Sequence, residues 1–358
     1  MLGRNGKTGL VPEIGVGGSR LRPKMGFLEP TNSRLYGLAS FAKCVILLHR
    51  SFWLRQVEIE DSLVGKRTIY IGEGESLGYV KKTFFPDARE KERTALPVFF
   101  LRQKIKHLIS SNTQVFVEIN RMLKPLIPPG GLLTFPWIRQ KVSLNSHDYM
   151  ERKSKIEASL GRKVRKFDYR CQITNDKKLV QKFYEDLYLP YVTARFKSAC
   201  HARTLSELQS ATRSGFLLQV FAQDLWVSGV VCRLGKDGIC ALAFGHLPDN
   251  QYDLRRGALS AAYYFIFKWA EEHSVQKVDL LRSRPNKSDG VYEHKRRWGA
   301  KPVIDSWPHT ALWLFIPKTE ICPQLKTQLI WKKDEFVEIQ GLSFGLKTGQ
   351  EDNRMMIP

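Results

Sequence analysis

Residues 217–281 restrict the possible folds of this chain more than any other segment. Apolar runs at residues 217–223, 227–233 and 239–246 have the length and composition of strands. The second and third runs are separated by residues 235–238 (GKDG), which is a strong hairpin signal. This pattern predicts a three-stranded antiparallel meander.

A helix and more strands follow the meander. We predict a helix at residues 257–273, a strand at 277–281, a short helix at 291–298 and strands at 302–305 and 311–316. A meander followed by helix, strand, helix and strand is typical of the α+β class. The sequence therefore predicts a mixed, mostly antiparallel sheet flanked by helices.

The first half of the chain has weaker signals. Strand-like runs occur at residues 67–72, 97–101 and 114–119, and residues 101–110 fit a short basic helix. Residues 132–144 are strand-like with a break at a proline.

Two helices are predicted between these regions, at residues 146–160 and 179–195. Asp148 is a candidate cap for the first helix, and Gly161 is expected to end it. Pro190 is expected to kink or end the second helix, because proline lacks the backbone N–H.

The chain is strongly basic. It has 57 Lys and Arg against 35 Asp and Glu, which gives a net charge of +22. The excess is concentrated in residues 1–50, 151–170 and 282–301, with eight, eight and seven basic residues against two, three and two acidic ones. Any one run is typical of a solvated face, whereas three runs favour a polyanionic partner such as RNA, a glycan, a nucleotide phosphate or an anionic membrane.

Six cysteines form no CxxC pair, which favours buried thiols in a reducing compartment and no metal site. Cys200 and His201 are adjacent, and adjacent side chains rarely face each other. The longest apolar run, residues 38–48, is too short to span a membrane and contains Lys43. Residues 1–20 lack the apolar core of a secretory signal, so we expect a cytoplasmic protein without a transmembrane segment.

Residues 215–301 resemble the C-terminal half of the Fem-like branch of the GNAT acyltransferase superfamily. The resemblance rests on the helix AAYYFIFKWAEEHSV (261–275) and the following string VDLLRSRPNKSDGVYEHKRRWGAKP (278–302). Residues 151–166 and 182–191 also resemble the segments that precede and open this domain in the family. The family's strand, polar turn, glycine, aromatic residue, lysine and Trp-Gly correspond here to residues 279–283, Gly290, Tyr292, Lys295 and Trp298–Gly299.

The resemblance implies an enzyme with two GNAT-like domains. Residues 1–35 are rich in Gly, Pro, Arg and Asn without a clear period, which predicts a basic flexible arm. The expected domains after it are a degenerate N-terminal GNAT-like domain (36–165), a C-terminal acyltransferase domain (166–320) and a C-terminal extension (321–358). The implied activity is that of an acyl- or aminoacyltransferase acting on an amine or hydroxyl of a cell-envelope or polysaccharide precursor.

The resemblance also implies an opening between the third and fourth strands of the later half, where a tetrahedral oxyanion meets backbone donors. Members that use CoA carry the pattern Gln/Arg-x-x-Gly-x-Gly/Ala, which residues 254–259 do not match. This mismatch disfavours acetyl-CoA and suits a donor such as aminoacyl-tRNA, although both donors stay open. No tightly bound cofactor is expected.

Three residues are catalytic candidates: Lys295 for stabilising negative charge, and Asp289 or His246 as a general base. Each has a structural alternative, namely a surface lysine, a turn aspartate and a hydrogen-bonded strand-end histidine. The candidate substrate-binding residues are Arg282, Ser283, Asn286, Tyr292, Arg255, Arg256, Gly257, Tyr191 and Arg195. Tyr191 also belongs to a tyrosine stripe at helical spacing, which is commonly a packing feature.

Two other functions stay open at this point. One is a non-catalytic polyanion-binding protein, for RNA or a glycan, on a decayed transferase fold. The other is an acetyl-CoA-dependent N-acetyltransferase. The expected partners are an anionic substrate or donor (tRNA, CoA or a glycan precursor) and the anionic surface of a membrane, with peripheral association.

Overall fold

The structure is a computed structural model, and it describes residues 52–60, 67–196, 202–236, 238–248, 255–305, 310–317 and 325–339. These residues form two compact units. Unit 1 holds Gln140–Leu281 and Lys295–Lys301, and unit 2 holds the residues up to Arg139, Arg282–His294 and the residues from Pro302 onward. The predicted arm, the Cys200–His201 pair and most of residues 321–358 lie outside the described residues.

The strands in chain order are β1 (Trp53–Glu60), β2 (Arg67–Gly72), β3 (Arg89–Pro97), β4 (Gln114–Asn120), β5 (Leu132–Thr134), β6 (Ile138–Ser143), β7 (Tyr169–Thr174), β8 (Gly215–Ala222), β9 (Leu225–Gly235), β10 (Gly238–His246), β11 (Lys277–Ser283), β12 (Lys301–Ile304), β13 (Thr310–Phe315), β14 (Leu329–Lys332) and β15 (Glu335–Glu338). The helices are α1 (Leu77–Phe84), α2 (Leu101–Ser110), α3 (His147–Ile156), α4 (Arg162–Lys166), α5 (Lys177–Lys182), α6 (Leu189–Phe196), α7 (Leu205–Arg213), α8 (Ala258–Glu272) and α9 (Gly290–Arg297).

Unit 1 is organised by six neighbouring strands of a seven-stranded sheet, in the order β6-β11-β10-β9-β8-β7. The predicted meander β8–β10 is antiparallel, and β7 extends it in the same way. Strand β11 joins β10 in parallel after the crossover through α8. Buried residues of α8, among them Ala262 and Ile266, pack against Val230 and Val220 of the sheet in one apolar core. The predicted α+β class, with a mixed and mostly antiparallel sheet flanked by helices, is confirmed.

Unit 2 has a six-stranded sheet with the order β3-β1-β2-β4-β13-β5 and a separate β14–β15 hairpin. Here too one pair is parallel, because β2 lies beside β4 in parallel while the other neighbouring strands of this sheet run antiparallel. The sequence missed β3, which reads REKERTALP. An edge strand with one solvated side needs few apolar residues, so its apolar pattern is weak.

The helix at residues 146–160 does not end at Gly161. The hydroxyl of Ser146, rather than Asp148, caps α3 by accepting from the N–H of Tyr149 at 3.3 Å. A π-helical turn at Glu157–Gly161 then continues the helix into α4. A Cβ at Gly161 would lie at an ordinary contact distance of 3.5 Å from Oη of Tyr264, so the helix passes α8 at this residue and does not stop there.

The helix predicted at residues 179–195 continues past Pro190. A π-helical segment, Phe183–Tyr188, joins α5 to α6, and α6 begins one residue before the proline. The strand predicted at residues 97–101 is also wrong, because Val98–Phe100 forms a 3-10 turn.

Candidate active site

The parallel strands β10 and β11 of unit 1 separate soon after they meet. Ile239 pairs with Val278, and Cys240 pairs with Asp279. Among the described residues of the two strands, no further pairing follows. The pairing between the described residues of β10 and β11 therefore ends at Cys240 and Asp279, in agreement with the opening that the resemblance implies between the third and fourth strands.

Two irregularities lie where the pairing ends, one on each strand. Leu281 adopts a left-handed conformation, with φ of 64°, and its N–H donates to Oδ1 of Asp279 at 2.8 Å. The Asp279 carboxylate thus takes the donor that a regular ladder would use. On β10 the pairing with β9 shifts between Ala241 and Ala243, which is a β-bulge. Bulges bend strands, so both strands turn away at the same level.

Stacked aromatic rings line up beside the opened part of β10. The ring of Phe244 lies 4.0 Å from that of Tyr263 on α8, at an angle of 11°. Tyr263 stacks on Trp298 at 5.6 Å, and Trp298 stacks on Phe267 at 4.8 Å. Trp298 is buried, which confirms its prediction as a core residue. These rings give the site a rigid apolar wall.

A polar cluster lies at the end of β10. His246 is buried, and its ring centroid lies 6.4 Å from that of Tyr191. The guanidinium of Arg195 donates to the Tyr191 hydroxyl. Burial raises the pKa of Tyr263, which also responds to the charges of Tyr191 and Arg195. The structure thus brings together three predicted site residues, His246, Tyr191 and Arg195, and adds Tyr263.

Gly245 allows this cluster to form. A Cβ there would lie 2.8 Å from the ring of Phe183 and 2.9 Å from backbone atoms of Leu187 and Tyr188. The missing side chain lets β10 approach the π-helical segment closely. The helix then carries Tyr191 toward the end of the strand.

Basic side chains surround the start of α8. Gly257, with φ of 96°, precedes the helix, and Arg255 beside it is exposed. The Arg256 guanidinium lies 4.8 Å and the Lys166 ammonium 5.5 Å from the ring of Phe167. Free N–H groups and the helix dipole favour anions at such a position.

Lys295 of unit 1 lies on α9 and is 5% exposed. Its backbone carbonyl accepts from the N–H groups of Trp298 at 3.0 Å and Ala300 at 3.3 Å. Lysine is rarely buried in proteins unless it is paired. The alternative of a surface lysine is therefore wrong, while the catalytic role stays a prediction.

Arg282 belongs to an arginine cluster in unit 2. It forms an ion pair with Asp305, which is 1% exposed. Nη1 of Arg139 lies 4.0 Å from Oδ1 of Asp305, and Nη2 of Arg121 donates to its carbonyl at 2.5 Å. The sequence missed this group because its members come from separate segments. Ser283, next to Arg282, is 2% exposed, and its hydroxyl has no hydrogen-bond partner among the described residues.

The remaining predicted site residues, Asn286, Asp289 and Tyr292, also lie in unit 2, at or just before the first turn of α9. Oδ1 of Asn286 accepts from the N–H of Ser288 at 2.8 Å, and Oδ1 of Asp289 accepts from the N–H of Tyr292 at 2.8 Å. The Asp289 carboxylate thus caps the helix. Tyr292 is buried in the apolar core of unit 2. The catalytic and binding roles of these residues stay predictions.

Sequence reasoning missed Asp279, Leu281 and Tyr263. An aspartate within an apolar strand is a weak signal of a bulge, and nothing in the sequence marks the left-handed leucine. Tyr263 belongs to a helix whose apolar face the sequence did predict.

Three cysteines among the described residues, Cys171, Cys232 and Cys240, are buried and reduced, as predicted. Burial raises the pKa of the Cys232 thiol. Within the described ranges, no group of three or more His, Cys, Asp or Glu residues is placed to hold a metal ion. No described helix has the length and apolar character needed to cross a bilayer.

No family model matches the chain, and no curated protein matches it. Similar solved structures include L-PGS from Bacillus licheniformis, with 9% identity, a TM-score of 0.35 and coverage of 75% of this chain and 83% of that one. FemX has 12% identity, a TM-score of 0.35 and coverage of 73% and 83%. A GCN5-related N-acetyltransferase from Kribbella flavida has 11% identity, a TM-score of 0.29 and coverage of 78% and 95%.

Proposed function

We propose that this chain is an acyl- or aminoacyltransferase of Fem-like GNAT type. It would transfer an activated acyl group to an amine or hydroxyl of a cell-envelope or polysaccharide precursor. The observation that supports the proposal is the opening between β10 and β11, which pair at only two positions. Backbone N–H groups exposed in such an opening are donors for an acyl carbonyl and for the oxyanion that forms from it.

The chemistry needs three contributions. The acceptor amine or hydroxyl attacks the donor carbonyl and forms a tetrahedral oxyanion, which β10 backbone donors stabilise. The donor's ester or thioester bond then breaks and the acceptor loses one proton, while the tRNA hydroxyl or CoA thiol that leaves gains one. His246, at the end of the opened strand, is our candidate for accepting that proton, and Lys295 is our candidate for a stabilising cation.

The start of α8 is the proposed site for the donor's phosphate groups. Arg255, Arg256 and the N–H groups that follow Gly257 supply cationic and dipolar donors. Aminoacyl-tRNA is the donor that we favour over acetyl-CoA, because residues 254–259 depart from the CoA pattern. A tRNA donor also suits the net charge of +22.

The test is a transfer assay with the full chain, radiolabelled acetyl-CoA or charged tRNA, and envelope precursors. We expect label in an amine or hydroxyl acceptor, with tRNA as the better donor. His246→Gln should lower kcat about 100-fold, since general-base catalysis contributes on this scale. The matched control is His147→Gln, an exposed histidine of α3. Absence of both transfer and donor binding would contradict the proposal.

One observation favours the second candidate, a non-catalytic polyanion-binding protein. Lys166 and Arg256 lie over one aromatic ring, and the side chain of Lys163 lies 3.9 Å from the position of a Cβ on Gly257. This cluster suits phosphate groups whether or not catalysis follows. Two results together would favour this second candidate. RNA or glycan would bind in a salt-dependent way and still bind the Arg255→Ala, Lys295→Ala double variant, and no acyl transfer would be detected.

A further inference from the structure

An exposed aromatic cluster in unit 2 belongs to neither the candidate site nor the apolar core. Phe52, Trp53, Phe99 and Phe100 are 40%, 59%, 70% and 56% exposed. We call these four residues the aromatic knob. Contiguous exposed apolar patches are rare on soluble proteins, and those rimmed by polar residues mark interaction sites.

The knob is held together by the backbone and by ring contacts. The N–H of Val98 donates to the carbonyl of Phe52 at 3.0 Å, which ties the 3-10 turn to the start of β1. The Phe52 ring lies 5.8 Å from Trp53 and 5.3 Å from Phe99, both edge to face. The rings therefore form a fixed projection that exists without any partner.

In the segment around and after Phe99 and Phe100, every charged side chain is basic. Residues 94–117 contain Arg102, Lys104 and Lys106 and no Asp or Glu. Helix α2 begins directly after Phe100 and buries Leu101, Ile105 and Leu108, while Arg102 and Lys106 are exposed. Cationic side chains thus follow the aromatic rings within two helical turns.

We propose that the aromatic knob and the outer face of α2 form a docking surface for an anionic lipid bilayer. Trp and Phe rings are suited to the headgroup boundary, and Lys and Arg beside them attract anionic lipids. This surface locates the peripheral association that the charge alone suggested, and it is independent of the transferase chemistry.

The ring geometry favours a bilayer over nucleic acid. Base stacking uses ring faces that are presented flat to successive bases. In the knob, Phe52 meets its two neighbours at 65° and 88°, so the rings together present a compact apolar projection. Such a projection suits insertion among lipid chains.

The first test is flotation of the full chain with vesicles of phosphatidylglycerol and phosphatidylcholine, or of phosphatidylcholine alone. We expect binding to the anionic vesicles, and a loss of roughly tenfold or more in the Trp53→Ala, Phe99→Ala, Phe100→Ala variant. Reversal of charge at Arg102→Glu and Lys106→Glu should weaken binding to anionic vesicles alone. The matched control is Met150→Ala with Leu225→Ala, two exposed apolar residues of unit 1.

The second test does not depend on the triple variant folding. Lipids brominated in the acyl chain should quench tryptophan emission of the bound wild type, and Trp53→Phe should remove most of that quenching. The control Trp226→Phe should leave it unchanged.

Four outcomes would overturn the proposal. Undiminished vesicle binding by the triple variant would point to another segment, such as the apolar residues 38–48. Failure of the wild type to bind would exclude a bilayer. If no vesicle binds and the triple variant loses self-association, the partner of the aromatic knob is a second copy of the chain. If no vesicle binds and the triple variant loses binding of an RNA oligonucleotide, the partner is nucleic acid. Transfer from a soluble donor should persist in the triple variant, which separates this proposal from the proposed function.

Discussion

Each of the two units contains a pair of parallel strands, β10–β11 in unit 1 and β2–β4 in unit 2, and the two pairs behave differently. In unit 2, β2 and β4 pair at five consecutive positions, from Thr68–Gln114 to Gly72–Glu118. In unit 1, β10 and β11 pair at two positions and then separate. A parallel pair with a helical crossover therefore does not by itself create an opening.

Local residues decide which pair stays closed. At the end of the closed pair, Gly72 has no side chain, and a Cβ there would lie 2.7 Å from both Cβ and O of Glu118. The Glu118 carboxylate is held by the hydroxyls of Tyr70 and Ser76. In the open pair, Asp279 instead binds the N–H of Leu281. A side-chain hydrogen bond thus links β2 to β4 in the closed pair, whereas in the open pair the side chain of Asp279 binds a backbone N–H of its own strand.

Gly72→Ala should have the largest effect. The new Cβ would force the closed pair apart, and we expect a loss of about 1–3 kcal/mol in the free energy of unfolding. The control is Gly78→Ala, because nothing lies within 4 Å of a Cβ on this exposed residue of α1. The control should be stabilised by about 0.5–1 kcal/mol. Denaturant titration measures both, and equal stability of Gly72→Ala and wild type would show that the closed pair does not need the glycine.

Asp279→Ala tests the open pair. It removes the acceptor of the Leu281 N–H, so the strand end loses its diverted geometry, and we expect transfer to fall about 100-fold, the scale of losing one oxyanion donor. Asp279→Asn keeps an oxygen acceptor at the same position and should retain most activity. Full activity of Asp279→Ala would mean that the carboxylate does not maintain the opening. Hydrogen exchange at the Leu281 amide gives a readout without substrate.

Arg255→Ala with Arg256→Ala should have a smaller effect on the same unit. We expect a roughly tenfold higher KM for the anionic donor and a lower salt dependence of binding, with kcat nearly unchanged. The control is Arg213→Ala with Arg233→Ala, which removes two exposed arginines elsewhere in unit 1. It should change neither KM nor the salt dependence of binding. An unaltered KM in the first variant would move the donor site away from α8.

The smallest expected effect is the pH dependence that Glu118 gives to the free energy of unfolding. Burial raises the pKa of this carboxyl, so the folded state keeps a proton that the unfolded chain releases above about pH 4.3. The contribution of Glu118 to stability should therefore fall as pH rises from there toward the folded pKa, by about 1.4 kcal/mol for each pH unit between the two. Glu118→Gln should flatten this dependence, whereas the exposed control Glu151→Gln should not. Equal slopes in wild type and Glu118→Gln would contradict the raised pKa.

Several elements could be predicted because their signals are local. The meander at β8–β10, the helix α2 and the strand β2 follow from apolar runs and turn residues within each segment. Elements whose stability comes from neighbours were missed or misjudged. The charged edge strand β3 pairs with β1, and the helix through Gly161 continues because it packs against α8.

The amino-acid sequence alone determined the α+β class, the order of the later strands and the excess of positive charge, since periodicity and composition are properties of consecutive residues. Only the tertiary structure decided that β10 and β11 separate, that Lys295 is buried, and that Phe52 and Trp53 meet Phe99 in an exposed cluster. These features depend on contacts between residues far apart in the chain and on one left-handed leucine. No pattern of neighbouring residues records such contacts.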